Sequence, residues 1–335
     1  MKILIIGLGS IGKRHVRNLA KLYPDSQFFA YRERNLPLDE FGEKYNINIF
    51  LNLDEALSHE YDAVFITNPT SKHIPIALRA ADRGNNLFIE KPVSHNMEGI
   101  NKLRKIIRDK NLITFIGFNM RFHPGIKEMK NLLINKKLDK LYFARLQVGE
   151  YLPDWHPNED YRYGYSARKE LGGGVLLTFI HEIDNLIWLK SNPDKVCSVM
   201  SRVSNLEINV EDNVEVLLWY KDGFIAEINL NYLQKNYSRN SQIIGERGSL
   251  EWDYYKNVLT FYDNEKKEKE IIWRDSNFKR NLMYIEEVKH FIDCIRENKK
   301  PMIDLDEGIK SLKIVIAAKK SYKIGKFIEI EEGYT

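Results

Sequence analysis

A run of glycines, a lysine at a strand end and a histidine in an apolar helix are the residues whose types and spacing can do chemistry here. Gly7-Leu8-Gly9-Ser10-Ile11-Gly12 follows an apolar run and opens a helical pattern. In that context the first glycine allows a tight turn, the second lets backbone approach a pyrophosphate, and the third lets helix lie close on strand. Phosphates would rest at the helix N-terminus, on Ser10 and Ile11. In an NAD enzyme an acidic residue about 20 positions on receives the ribose hydroxyls. Here the second strand ends Ala30-Tyr31-Arg32-Glu33-Arg34. Tyr31 replaces the acid, and the Arg32 guanidinium suits adenine stacking and a 2′-phosphate. The expected cofactor is therefore NADP, with NAD through Glu33 as the alternative.

Three further stretches bear polar groups in places that ask for a reason. Thr67-Asn68-Pro69-Thr70-Ser71-Lys72-His73 turns from a strand into a helix, which places Thr67, Asn68, Pro69 and His73 beside the cofactor's nicotinamide half. Phe88-Ile89-Glu90-Lys91-Pro92 closes an apolar strand on a charged pair and a proline, a poor ending for a purely structural strand. An ammonium there can bond a reacting oxygen and stabilise developing negative charge, and Pro92 fixes the turn and admits a cis peptide bond. Gly172-Gly173-Gly174 opens an apolar helical run to Leu189 that carries His181 and Asp184 on one face. A buried imidazole titrating near working pH can exchange a hydroxyl proton.

Together the glycine loop, the Thr67-Asn68-Pro69 turn with His73, Glu90-Lys91-Pro92 and the His181 helix after three glycines resemble the Gfo/Idh/MocA family of pyridine-nucleotide-dependent sugar oxidoreductases. The resemblance covers nearly the whole chain. It implies an N-terminal Rossmann dinucleotide-binding domain, and a C-terminal domain whose open, mostly antiparallel sheet supports a homodimer or homotetramer. It implies that Lys91 reaches the substrate and that His181 is catalytic. Glu90 and Lys91 would also border the cofactor. Gly117-Phe118-Asn119-Met120-Arg121-Phe122-His123-Pro124 is similar to the family's segment leaving the first domain, which makes Asn119 and Arg121 site-lining, while His123 before Pro124 reads as turn. Many members carry an acid just before the histidine, where this chain has Leu177 and Thr178. Asp184 is then left to orient the imidazole, and Tyr161 or Tyr163 stands as the alternative proton donor. The Gly172–Asp184 motif also resembles a branch associated with bacterial surface-sugar biosynthesis.

The aromatic and basic loop from Tyr151 to Glu170 holds Trp155, His156, Tyr161, Arg162, Tyr163 and Arg168. It suits a bulky or acidic sugar, free or nucleotide-linked, and equally a loop that covers the sheet or makes a subunit contact. The expected reaction is hydride transfer between nicotinamide and a carbinol or carbonyl carbon of a sugar. A nucleotide-dependent glycoside-cleaving enzyme and a non-catalytic nucleotide sensor share the same fold and remain the alternatives.

The elements that must position these groups follow from length and pattern. A chain of 335 residues suits two domains, drawn at 1–120 and 121–335. The first half alternates apolar runs (Ile3–Ile6, Gln27–Tyr31, Ala63–Thr67, Asn86–Ile89, Ile113–Gly117) with helical stretches, the signature of a parallel α/β sheet. After a helix from Pro124 to Leu133, strand patterns follow one another at Leu141–Val148, Lys195–Val203, Val214–Tyr220, Phe224–Leu230 and Ser249–Trp252. Asp222-Gly223 marks a hairpin, and Glu265–Glu270 reads as a hairpin tip. The last helices are expected at Met283–Arg296 and Asp306–Tyr322. Basic and acidic residues, 51 against 47, are scattered, which argues against nucleic acid as partner. Two distant cysteines give neither a disulfide framework nor a metal site and fit the cytoplasm. No apolar run approaches the roughly 20 residues that span a bilayer, so no membrane partner is expected.

Overall fold

The computed structural model describes residues 1–33, 39–155 and 159–330; Arg34 and His156 lie outside them. In chain order the first elements are β1 (Lys2–Ile6), α1 (Ser10–Leu22), β2 (Gln27–Tyr31), α2 (Glu40–Lys44), β3 (Asn48–Phe50), α3 (Leu53–Leu57), β4 (Ala63–Ile66), α4 (His73–Asp82), β5 (Leu87–Glu90), α5 (Ile100–Asp109) and β6 (Thr114–Gly117). Next come α6 (Pro124–Ile134), β7 (Leu141–Gly149), α7 (Val175–Thr178), α8 (His181–Leu189), β8 (Lys195–Ser201), β9 (Asn213–Trp219), β10 (Ile225–Asn231), β11 (Ser238–Gly245), β12 (Gly248–Asp253), β13 (Val258–Asp263) and β14 (Glu268–Arg274). The last are α9 (Asn281–Glu297), α10 (Leu305–Ile324) and β15 (Ile328–Glu329).

Met1–Asn119 and Arg280–Ile309 form one compact unit. Its six strands run in the order β3-β2-β1-β4-β5-β6, all parallel, the doubly wound arrangement with its switch point between β1 and β4. The sequence places Arg280–Ile309 late in the chain, yet the apolar stripe of α9 seats Phe291 against the rings of Phe65, Phe88 and Phe115, and Ile116 N donates to Ile303 O at 2.9 Å. The registers level the strand ends, with Ile6 beside both Tyr31 and Ile66, Ile66 beside Ile89, and Glu90 beside Gly117. Gly7, Arg32, Thr67 and Lys91 therefore leave the sheet at one edge.

Met120–Lys279 and the chain from Lys310 on form the second unit. Its nine strands run β14-β13-β12-β11-β7-β10-β9-β8-β15, antiparallel except for β7 beside β10. The expected fold class is borne out, with that one parallel pair making the second sheet mixed. One face is buried through alternate residues such as Ala144, Leu146, Val216, Ile228, Leu250 and Phe261. The Asp222-Gly223 turn joins β9 and β10, with Phe224 N donating to Asp222 Oδ1 at 3.1 Å. Strand β11 opens on five polar residues, Ser238 to Gln242, and so does not read as a strand in the sequence. Among the described residues no helix is long and apolar enough to cross a membrane.

His123 shows how this unit uses a polar residue as filling. Its ring lies among Trp252, Tyr254, Trp273 and Phe278, and its Nδ1 accepts from Gly125 N at 3.0 Å, capping α6. Burial pushes its pKa down to about 3. The unfolded chain takes up the proton near its ordinary value of about 6.5. The neutral ring's contribution is thus present above that value and lost as pH falls toward 3. Relative to His123→Asn, the wild-type protein should lose on the order of 1 kcal/mol of unfolding free energy per pH unit below about 6.5. Denaturant titrations of both proteins across that range measure it.

Candidate active site residues

In the first unit the glycine loop is shaped from the inside. Gly7 takes φ +98°, and a Cβ there would meet the Asn68 backbone at 3.0 Å. A Cβ on Gly12 would meet Gly7 O at 2.2 Å, so helix and loop approach as closely as backbone allows. At Gly9, by contrast, a Cβ would meet nothing within 4 Å, and no side chain caps the start of α1. Ser10 and Ile11 thus open a helix whose first amides face an uncapped space beside exposed backbone, the setting a pyrophosphate fits.

Around this loop the expected cofactor residues divide by what they touch. The Thr67 hydroxyl donates to Gly7 O at 2.6 Å and is spent on holding the loop. Asn68 keeps a buried Oδ1 that has no hydrogen-bond partner among the described residues, an acceptor suited to an incoming amide. His73 is buried, with Nδ1 2.8 Å from Pro92 O and Nε2 2.8 Å from Asn68 O. Burial lowers its pKa against the pull of the two carbonyls and Glu90. A neutral ring donates to one carbonyl at a time, and it ties the Asn68–Pro69 turn to the turn after Lys91. His73 therefore shapes the site from behind. Tyr31 and Arg32 are half-buried at the end of β2, and Glu33 beyond them is ion-paired with Lys72. Lys91 is half-buried and the Lys91–Pro92 peptide is cis. The Glu90 side chain turns inward, its Oε1 2.7 Å from His15 Nε2. Asn119 is buried with Oδ1 lacking a hydrogen-bond partner.

In the second unit Gly172 takes φ +81°, and Gly173 and Gly174 are there because nothing larger fits. A Cβ on Gly173 would lie 2.2 Å from Tyr165 O, and one on Gly174, at φ +104°, would lie 2.4 Å from the Glu211 carboxylate. Glu211 Oε1 accepts from Leu176 N at 3.3 Å. The single helix expected from here to Leu189 is instead two, α7 and α8, broken at Phe179–Ile180. His181, 8% exposed, is the first residue of α8.

Both acids beside His181 are answered by buried arginines. Arg121 Nε and Nη2 donate to Asp184 Oδ2 and Oδ1 at 2.9 and 2.8 Å, and Ser311 Oγ donates to Asp184 Oδ1 at 3.3 Å. Arg239 Nε and Nη2 donate to the two oxygens of Glu182 at 2.7 and 3.1 Å. Arg121 and Asp184 are thus bonded to each other, in the manner of a brace on the helix that begins with His181. Thr178, in the place of the absent acid, accepts from the buried Tyr232 hydroxyl at 2.6 Å. Tyr161 Oη accepts from Glu207 N at 3.3 Å, and Tyr163 is 74% exposed. Sequence reasoning missed His15, Tyr232, Arg239 and Glu287. For Arg239 the sequence carries no signal, because Arg239 and Ser241 on the buried face of β11 are as polar as the residues beside them.

Comparison with known proteins places the fold in a family. The oxidoreductase family with NAD-binding Rossmann fold matches residues 1–118, and the GFO/IDH/MocA C-terminal domain matches residues 126–251. Myo-inositol 2-dehydrogenase of Thermotoga maritima is 26% identical over 344 residues, covering 99% of each chain. The scyllo-inositol 2-dehydrogenase (NAD(+)) of Bacillus subtilis is 22% identical over 344 residues, covering 99% of this chain and 96% of that one. A levoglucosan dehydrogenase in complex with NADH and levoglucosan has the same fold, with a TM-score of 0.88 at 18% identity, covering 99% of this chain and 100% of that one. Fold and family matches together define an oxidoreductase with an NAD-binding domain. The chain belongs to the Gfo/Idh/MocA family.

The buried pairs make a direct test of how α8 is held. Arg239→Leu leaves Glu182 charged and unanswered, and should cost about 3–5 kcal/mol of unfolding free energy. Glu182→Leu combined with Arg239→Leu should recover most of it, as chemical denaturation followed by circular dichroism would measure.

Proposed function

We propose that this protein is a polyol or sugar dehydrogenase, working on a secondary hydroxyl or the matching carbonyl of a sugar or sugar derivative. The observation that carries the reading is the level carboxyl edge of the parallel sheet, where the open Gly9 backbone, the Asn68 acceptor and Lys91 leave the strands together. Relatives named as inositol dehydrogenases support the substrate class.

A bound nicotinamide nucleotide supplies the hydride acceptor or donor. Gly7, Gly9, Ser10, Ile11 and Gly12 would hold its phosphates, and Asn68 and Pro69 would border its ring. Lys91 donates a hydrogen bond to the reacting oxygen and stabilises the negative charge that develops there. His181 takes the hydroxyl proton in oxidation and returns it in reduction. Arg121, Asp184, Glu182 and Arg239 position the helix that His181 begins. Tyr161 and Tyr163, on the aromatic and basic loop, contribute to sugar recognition. Asn119, whose buried amide oxygen lacks a partner, is assigned to the same role.

Two finer points belong to the same reading. NADP is preferred over NAD, because β2 ends on Tyr31, Arg32 follows it, and the nearby Glu33 is paired with Lys72. The outward face of the second sheet is a subunit contact, since Val199, Leu217 and Ile225 stand exposed on adjacent strands β8, β9 and β10.

A panel of inositols, sugars and nucleotide sugars with NADP and NAD, followed through the reduced cofactor's absorbance, tests the function. Turnover should fall about a hundredfold or more in Lys91→Met and His181→Asn, with nucleotide affinity kept. Failure to bind either nucleotide, or hydrolysis without net cofactor turnover, would overturn the reading. An NAD preference that survives Arg32→Ala would remove the NADP preference. In sedimentation, the wild-type protein should run as a dimer or tetramer and Leu217→Arg should shift toward monomer.

A further inference from the structure

His15, Glu90 and Glu287 bring three ionisable side chains into the apolar interior of the first unit. Their ligand atoms all lie within 4.8 Å of one another, and all three residues are buried, His15 and Glu287 completely. Around them are rings, with Phe88 and Phe65 at 4.8 and 5.5 Å from the His15 ring and Tyr284 at 6.4 Å. The groups that face Glu287 are Arg14 and His15 from α1, Glu90 from the end of β5, and Tyr284 from its own helix, with the Arg14 guanidinium lying over the Tyr284 ring at 4.4 Å. Glu90 is answered by His15 at 2.7 Å. Among the described residues, neither carboxylate oxygen of Glu287 has a hydrogen-bond partner.

Two chemistries fit such a cluster, a metal ion or a proton retained on one carboxyl group. Two ligands each about 2.1 Å from one ion stand roughly 3 Å or more apart. The His15–Glu90 separation of 2.7 Å is instead the length of a hydrogen bond. A second ionised carboxylate this close, in an interior lined by rings, would meet both desolvation and repulsion. We propose that Glu287 is held protonated in the working protein, a neutral neighbour to the buried His15–Glu90 pair, and that this cluster positions Lys91. The residue it anchors, Glu90, is bonded directly to Lys91, so a Glu90 side chain pinned in the interior fixes the main chain from which the ammonium departs. This rests on the reading of Lys91 as the group that touches the reacting oxygen.

Burial and then Glu90 hold the Glu287 carboxyl well above its usual range, against the opposing pull of Arg14. The native state therefore keeps a proton that the unfolded chain releases above about pH 4.3. The associated stability is complete below that value and is lost as pH rises toward the raised native pKa. Glu287→Gln copies the neutral carboxyl and cannot ionise.

The test compares wild type, Glu287→Gln and Glu287→Ala as full-length proteins. Melting is followed from about pH 5 to about pH 9, and kcat and KM are measured on the best substrate of the panel. The melting temperature of the wild type should drop relative to Glu287→Gln as pH rises. Glu287→Gln should keep kcat within about twofold, and Glu287→Ala should lose about tenfold in kcat with the nucleotide KM nearly unchanged. A pH-independent melting difference would overturn the proposal. So would a Glu287→Gln as slow as the alanine variant, or a stoichiometric divalent ion in the purified wild type that Glu287→Gln lacks. Absence of turnover by the wild type would remove the Lys91 reading and the positioning role with it, whereas the melting comparison reads the Glu287 proton alone.

Discussion

Charge buried in an apolar interior has to be answered on the spot, and each compact unit meets that constraint at a chemically important residue. In the second unit, α8 begins His181-Glu182-Ile183-Asp184, four buried positions of which three are ionisable. Water cannot solvate the two carboxylates there, so each needs a cation with matching geometry. Arginine supplies it twice, because its planar fork can satisfy both oxygens of a carboxylate. Glu182 and Asp184 lie two positions apart and so on different sides of the helix, which means that Arg239 and Arg121 restrain it against rotation in both senses. An apolar substitute could give as much stability, but it would not fix the rotation of the helix in the same way.

The first unit places its reactive edge by different physics. There the organising quantity is strand register. Parallel pairing levels Ile6, Tyr31, Ile66 and Ile89, so the next residue of each strand becomes part of one rim. The glycines then decide how near backbone can come to that rim, and where it stays open. Gly7 and Gly12 are glycine because neighbouring backbone or side-chain atoms already fill the space of a Cβ, whereas Gly9 is glycine where the space is empty. One motif thus contains two kinds of requirement. Only the position facing open space points to a ligand.

The same distinction explains what could be read from the sequence. The glycine loop, the Glu90-Lys91-Pro92 turn and the Asp222-Gly223 hairpin are local, and their residues state their geometry directly. Arg239 lies 57 residues from Glu182, and Glu287 lies nearly 200 beyond Glu90, so neither pairing is visible without the fold. The break between α7 and α8 was also hidden, since Phe179 and Ile180 are apolar and helix-compatible like their neighbours. Strand β11 was missed for a related reason. Its buried face includes Arg239 and Ser241, polar residues that look like solvent-facing positions until their partners are known.

Lys91 brings these strands of argument together. The residue before it is anchored by its side chain, through His15. The residue after it is anchored by its main chain, because His73 lies against the Pro92 carbonyl. Both anchors are histidines on helices that start at the same rim, α1 and α4, so the turn at residue 91 is set by the helices that frame the glycine loop and the Asn68 turn. The backbone carrying the ammonium is therefore fixed without using the ammonium itself. In the role proposed for Lys91, preorganisation of this kind would act on the transition state as well as on binding, because the main chain that carries the donor is set before negative charge appears.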